Sequence, residues 1–189
     1  MDDVKTVFLR FKDEATILAN LMGGYTTLEL DLAHCVNAVR NDFDAVLKAM
    51  FRARGETQRI DIADALGRQL YHNLGLGTQF EMAIGAIRYC LKIRNQYAHC
   101  VWWDDYSGKL TFADLEEVTK GNNTLLKDFN SLTPLYVDVP LLQSQEAYFK
   151  YTDELLLWVN FEERYLAGES SIQRYAAPAQ VTQPGLHTP

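Results

Sequence analysis

The stretch FEMAIGAIRYCLKIRNQYAH, residues 80–99, decides the fold of this chain. When the stretch is placed on a helix at about 100° per residue, most of the circumference is apolar, which predicts a helix buried nearly all round. The polar side chains collect in a stripe about 100° wide. Arg94 lies outside this stripe, in the apolar arc near Ile87 and Ala98. The polar stripe consists of Glu81, Arg88, Lys92, Asn95, Gln96 and His99.

Arg94 is the residue of this helix that most needs an explanation, because a guanidinium keeps its proton and is rarely buried without an anionic or carbonyl partner. One interpretation is structural. Arg94 then pairs with an acid of the same chain, and His99 stands near a helix C-terminus because a cation is favourable there. The other interpretation is chemical, with both side chains serving one substrate anion. The acids considered as structural partners are Asp44, Asp61, Asp64 and Glu81.

The hydrophobic periodicity of the rest of the chain predicts an all-α protein. Helical spacing indicates a first helix over residues 2–22, ended by Gly23-Gly24, and a last helix over residues 142–166. Three more helices are predicted between them, over residues 26–54, 56–73 and 78–100. The helices predict a single domain over residues 1–166. From residue 167 to 189 the sequence turns to Ser, Gln, Pro, Ala and Gly, which predicts a flexible tail.

A short β-hairpin is predicted directly after the motif helix. Residues 101–112 are aromatic and β-branched on both sides of an Asp-Asp-Tyr-Ser-Gly turn, a pattern of paired strands. Trp102 and Trp103 are expected in the core of this hairpin, with stacking on a nucleic acid base as the alternative. A brief helix is expected over residues 113–120.

Composition narrows the function classes. The formal charge of −7 over 189 residues argues against a broad grip on duplex phosphates, which usually needs a basic surface. A local positive field remains near the motif, where we assign Arg88 and Lys92 to substrate binding.

Three widely spaced cysteines favour packed, reduced thiols, and the first residues lack the pattern of a secretory signal, so we expect a cytoplasmic protein. No ligand spacing indicates a metal, and no cofactor is expected.

The chemical interpretation fits cleavage of an RNA phosphodiester. A histidine in the position of His99 takes the proton of a ribose 2′-hydroxyl or protonates the leaving 5′-oxygen. The fork of Arg94 holds the non-bridging oxygens, and Asn95 orients the imidazole or contacts the substrate. Residues five apart on a helix diverge by about 140°, however, so one chain does not bring Arg94 and His99 together easily. A two-fold dimer whose motif helices face each other would form a composite site.

The run Arg94-Asn95-Gln96-Tyr97-Ala98-His99 resembles the R-x4-H motif of the HEPN superfamily. The preceding Leu91-Lys92-Ile93 and the Tyr-Ala before the histidine are similar to the usual flanks of that motif. The resemblance implies an antiparallel all-α bundle whose last long helix ends at the histidine. It further implies a homodimeric, metal-independent endoribonuclease with Arg94, Asn95 and His99 as catalytic residues.

Such proteins are commonly found in toxin–antitoxin, phage-defence or RNA-processing settings, so the resemblance also implies an RNA substrate and a protein antitoxin or regulatory partner. The alternative within the same superfamily is a non-catalytic interaction or regulatory module, similar to the mannitol operon repressor type. In that case Arg94 is structural and His99 carries no chemistry.

Overall fold

The computed structural model describes residues 3–115 and 133–188. The described residues are mostly helical, as the sequence predicts, with one small sheet. Five helices precede the sheet: α1 (Val4–Arg10), α2 (Lys12–Arg40), α3 (Phe43–Phe51), α4 (Glu56–Asn73) and α5 (Gly77–Ala98). They are followed by strands β1 (Cys100–Trp103), β2 (Leu110–Asp114) and β3 (Leu135–Val137), and by helix α6 (Val139–Leu166).

The predicted break at Gly23-Gly24 is wrong, because α2 runs through both glycines. Leu21, Tyr25 and Leu28 are all buried, so the hydrophobic period of this helix continues across the glycine pair. Two helical glycines cost about 2 kcal/mol relative to alanine, and burial of one large apolar side chain offsets about that much. Tertiary packing therefore keeps the helix intact.

The second predicted helix, residues 26–54, is also divided differently. Helix α2 ends at Arg40, where Asn41 adopts a left-handed backbone conformation with φ of 53°. Asn tolerates that region better than most residues. The next residue, Asp42, is the N-cap of α3, because its side chain accepts a hydrogen bond from the Ala45 amide at 3.0 Å.

The predicted hairpin is confirmed. Strands β1 and β2 pair antiparallel, with Cys100 opposite Asp114 and Trp103 opposite Thr111. The sequence did not predict β3, which pairs antiparallel with β2 and completes the strand order β1-β2-β3. Of the brief helix expected over residues 113–120, the first two residues belong to β2, and residues 116–120 lie outside the described part of the chain.

The chain forms two compact units. Unit 1 comprises Met1–Met22, Lys92–Glu146 and Gln183–Pro189, and unit 2 comprises Gly23–Leu91 and Ala147–Thr182. The expected single domain over residues 1–166 stays a prediction, since compact units of one chain need not fold separately.

Aromatic rings form the centre of unit 1. Trp102 lies with its ring centroid 5.1 Å from Phe112, 5.7 Å from Phe8 and 5.8 Å from Tyr97. Tyr97 also meets Phe112 edge to face at 5.7 Å. Such tilted and edge-to-face pairs are favourable beyond the area they bury. Trp102 therefore packs against this aromatic centre as predicted, although it is half-buried, and Trp103 is half-buried as well.

Unit 2 is built around a stacked pair, Tyr71 and Phe80, whose ring centroids are 4.4 Å apart. Gly67 lets Phe80 approach α4 closely, since a Cβ atom at Gly67 would lie 2.7 Å from the ring. The Tyr71 hydroxyl donates to the Cys35 carbonyl at 2.8 Å, and the Cys35 thiol donates to the Leu156 carbonyl at 3.0 Å. Cys35 and Cys90 are fully buried, which confirms the prediction of packed thiols for these two.

Within residues 3–115 and 133–188, we find no helix with the length and apolar character needed to cross a membrane.

Candidate functional site

The motif lies at the end of α5, where the chain passes from helix to sheet. Helix α5 ends at Ala98 and β1 begins at Cys100, so His99 is the single residue between them. Its carbonyl accepts a hydrogen bond from the Leu115 amide at 3.2 Å, which extends the β1–β2 ladder by one bond. The hairpin thus fixes the backbone of His99, while the side chain is exposed. The His99 imidazole therefore lies at the surface, on a backbone held by the hairpin.

The polar stripe predicted on α5 forms the solvent-exposed face of the helix. Glu81, Arg88, Lys92 and Asn95 are exposed, and Gln96 is half-buried. The opposite arc is largely buried, including Phe80, Ile87, Cys90 and Ile93, each with no exposed surface. Met82 departs from this pattern, since 43% of its surface is exposed.

Arg94 and Asn95 are brought together. Arg94 is half-buried, and its Nη1 donates a hydrogen bond to Oδ1 of Asn95 at 3.0 Å. Asn95 was expected to orient the imidazole or contact the substrate, whereas this bond makes it an orienting partner of the guanidinium.

The two residues assigned to substrate binding are placed differently. Lys92 is exposed and belongs to unit 1 together with Arg94, Asn95 and His99. Arg88 belongs to unit 2, where its Nη2 lies 2.8 Å from Asp61 Oδ1 and 3.7 Å from Asp64 Oδ2. These carboxylates neutralise much of the charge that Arg88 would offer to a phosphate.

The acids considered as partners of Arg94 pair with other cations. Asp64 accepts from Arg68 at 2.6 Å, and Glu81 accepts from Arg68 at 3.1 Å. Asp44 forms an exposed ion pair with Lys48, four residues along α3. Glu81 is therefore an ion-paired acid.

Sequence reasoning missed a buried polar network at the same end of α5. The Tyr97 hydroxyl donates to Oε1 of Gln145 at 2.8 Å, and Gln145 has no exposed surface. Burial raises the pKa of the Tyr97 phenol well above its ordinary value, so the hydroxyl keeps its proton and acts as a donor. The sequence contains one signal for this network, the glutamine Gln145 on the buried side of an amphipathic helix. Its hydrogen-bond partner Tyr97 lies 48 residues earlier in the chain.

Beside this network, the Cys100 thiol donates to the Gln96 carbonyl. Burial raises the pKa of the Cys100 thiol to about 12, with Asp114 adding to the effect. A thiol with so high a pKa is a poor nucleophile at neutral pH, since the thiolate is the reactive form. Cys100 therefore contributes packing and one hydrogen bond at this end of α5.

The described residues hold no cluster of three or more His, Cys, Asp or Glu side chains suited to a metal ion. No family model, curated protein or solved structure matches the chain. The functional assignment therefore depends on the motif and its geometry.

Proposed function

We propose that this protein is a HEPN-like, metal-independent endoribonuclease that acts as a homodimer in the cytoplasm. The observation that carries the proposal is the exposed His99 imidazole on a backbone fixed by β1 and β2, five residues after a guanidinium held by Asn95. Lys92, exposed on the same unit, supplies further positive charge to the substrate backbone. Regulation by a protein antitoxin or similar partner is part of the proposal.

The chemistry needs one proton acceptor and one proton donor. His99 of one protomer takes the proton of the ribose 2′-hydroxyl as its oxygen bonds to phosphorus. The bond from phosphorus to the 5′-oxygen breaks, and the leaving oxygen takes a proton from the charged His99 of the partner protomer. Arg94 stabilises the negative charge that builds up on the non-bridging oxygens. The products are a 2′,3′-cyclic phosphate and a free 5′-hydroxyl.

The proposed mechanism uses two protomers. A continuous helix would place residues five apart about 140° from each other, and His99 directly follows the last residue of α5, so we place a two-fold axis beside α5 that brings equivalent residues of two copies to one cleft. The formal charge of −7 repels RNA at long range, and salt screens this repulsion as well as the local attraction of Arg94 and Lys92. We therefore expect the cleavage rate to depend only weakly on added salt.

The test is cleavage of a labelled single-stranded RNA by the purified full-length protein in the presence of a metal chelator. His99→Ala and Arg94→Ala should each lower the rate at least 100-fold with the helical content and dimer mass unchanged. His72→Ala is the matched control, because His72 is also exposed and pairs only with Glu81 among the described hydrogen bonds. Intact RNA after incubation of the wild-type dimer across neutral pH would refute the catalytic proposal.

A non-catalytic regulatory module is the second candidate. It is favoured by the structural use of the motif interior, since Gln96 and Tyr97 are engaged with other parts of the same unit. For this candidate Arg94→Ala should lower the melting temperature, and His99→Ala should change neither melting nor partner binding.

A further inference from the structure

The last residues of the chain contact the motif. The Leu186 carbonyl accepts a hydrogen bond from Nε2 of Gln96 at 2.6 Å, and Nε2 of Gln145 donates to the Gly185 carbonyl at 2.8 Å. Both glutamines and the C-terminal residues belong to unit 1. The chain between α6 and these residues forms no regular helix or strand. The contacts therefore join the C-terminus to the proposed site through side-chain amides.

These amides form a built site for backbone carbonyls. Leu186 O has three donors within reach, Gln96 Nε2, Gln145 Nε2 at 3.2 Å and the Tyr97 hydroxyl at 3.2 Å. A carbonyl offers two lone pairs, and the single Tyr97 proton is closer to Gln145. The two amides thus satisfy Leu186 O, and Gln145 uses both of its N–H donors on the C-terminal residues.

A strand edge completes the site. Thr188 pairs antiparallel with Tyr136, the middle residue of β3. The Thr188 amide donates to the Tyr136 carbonyl at 2.8 Å, and its hydroxyl donates to the same oxygen at 3.0 Å. One edge of β3 is paired with β2, so Thr188 binds the Tyr136 carbonyl on the opposite edge. Addition of an extended segment to an open edge is a general mode of peptide recognition.

We propose that unit 1 carries an acceptor site for a short, bent peptide segment, built from Gln96, Tyr97, Gln145 and the edge of β3 opposite β2, and that residues 185–188 are its resident ligand. The site binds backbone groups of the segment, namely the carbonyls of Gly185 and Leu186 and the N–H of Thr188. Its ligand class is therefore a short polypeptide segment that bends before it reaches the strand edge, here supplied by the chain itself. The inference does not rest on RNA cleavage.

Departure of the segment leaves the buried Gln145 amide without its two acceptors. An unsatisfied buried polar group is unfavourable, so the occupied site is favoured and should protect the Thr188 amide from exchange. The first test is amide hydrogen exchange of the full-length protein, resolved at Thr188. We expect exchange at least tenfold slower than for an unstructured peptide of the same sequence.

Two variants probe the amides. Gln145→Met keeps the length of the side chain and removes its three hydrogen bonds, so Thr188 should exchange at least tenfold faster than in the wild type. Gln96→Ala changes a half-buried residue and should raise the exchange rate about threefold to tenfold. Gln143→Ala is the matched control, because Gln143 is an exposed glutamine on α6, the helix of Gln145. This variant should leave the exchange rate of Thr188 unchanged.

Unprotected Thr188 in the wild-type protein would overturn the proposal, as would unchanged protection in Gln145→Met. If Gln145→Met fails to fold, Gln96→Ala decides on the same criterion.

The second test asks for binding from a separate molecule. A fluorescent peptide of residues 183–189 is added to the full-length Thr188→Pro variant, whose own segment lacks the N–H and hydroxyl that contact β3. The peptide should bind this variant at least tenfold more tightly than the wild type, where the tethered segment competes at an effective concentration on the order of mM. Adding Gln145→Met should abolish binding. No binding to the Thr188→Pro variant would refute an acceptor site.

Discussion

A pair of carboxyl groups in unit 2 makes the stability of this protein depend on pH. Asp31 on α2 and Asp153 on α6 are hydrogen-bonded through their side chains. Burial is the main cause that raises the pKa of Asp31 from 3.8 to about 7, and the bond to Asp153 and its charge add to the effect. In the folded protein the Asp31 carboxyl group therefore keeps its proton up to about pH 7 and shares it with the side chain of Asp153.

The direction of the pH effect follows from the two pKa values. In the unfolded chain Asp31 loses its proton near pH 4, whereas in the folded chain it keeps the proton to about pH 7. The stabilising contribution of the shared proton is full below pH 4 and is lost as the pH rises to about 7. One pKa unit corresponds to about 1.4 kcal/mol, but Asp31 is half-buried and water screens the pair, so we expect a loss of about 1–2 kcal/mol.

Asp31→Asn tests this reasoning, because the Asn amide donates to Asp153 at every pH. Urea unfolding followed by circular dichroism at pH 5 and pH 8 gives the free energy of unfolding of the variant and the wild type. We expect the variant to be more stable than the wild type by about 1–2 kcal/mol at pH 8, with most of the difference gone at pH 5.

Asp13→Asn is the matched control, since Asp13 is an exposed aspartate of the same helix. Its effect on stability should be the same at both pH values. A difference between Asp31→Asn and the wild type that does not change between pH 5 and pH 8 would refute the assignment of the shared proton.

Three further substitutions in unit 2 are checked by thermal unfolding. Gly23→Ala should raise the stability by about 0.5–1 kcal/mol, because Gly23 is exposed inside α2 and a Cβ atom there meets nothing within 4 Å; a destabilised variant would contradict the packing of α2. Gly67→Ala should lower the stability by about 1–3 kcal/mol, since the new Cβ would lie 2.7 Å from the Phe80 ring. An unchanged melting temperature would contradict the close contact between Phe80 and α4. Arg59→Ala should cost about 3 kcal/mol, because Arg59 Nη1 contacts both carboxylate oxygens of the buried Glu29 at 3.0 and 3.2 Å. A loss below about 1 kcal/mol would contradict a large contribution of this pair to stability.

Much of the helical architecture was predictable, because it follows from local periodicity. The predicted helix over residues 56–73 has the observed bounds of α4. The predicted helices over 78–100 and 142–166 differ from α5 and α6 by at most three residues at either end. The long α2 was divided wrongly because glycine is a weak signal against continuous burial on both sides. Strand β3 is three residues long, too short to show a period of its own.

The candidate site was predictable only in part. Periodicity placed Lys92, Asn95 and His99 on the exposed stripe, as observed. It could not foresee that Arg88 pairs with Asp61, because that contact joins two helices through tertiary packing. Nor could it foresee that Gln96 meets a carbonyl 90 residues away. Which polar groups face each other across such separations is set by the topology of the whole chain rather than by the spacing within a helix.

The position of Thr188 against β3 has a practical consequence for anyone who produces this protein. An affinity tag fused after the last residue would start close to the strand edge and a few residues after Leu186, whose carbonyl Gln96 contacts, so it would crowd the contacts of residues 185–188. A polyhistidine tag there would also bring foreign imidazoles close to the motif and blur any assay of His99. Purification handles therefore belong at the other end of the polypeptide, with a protease site for their removal.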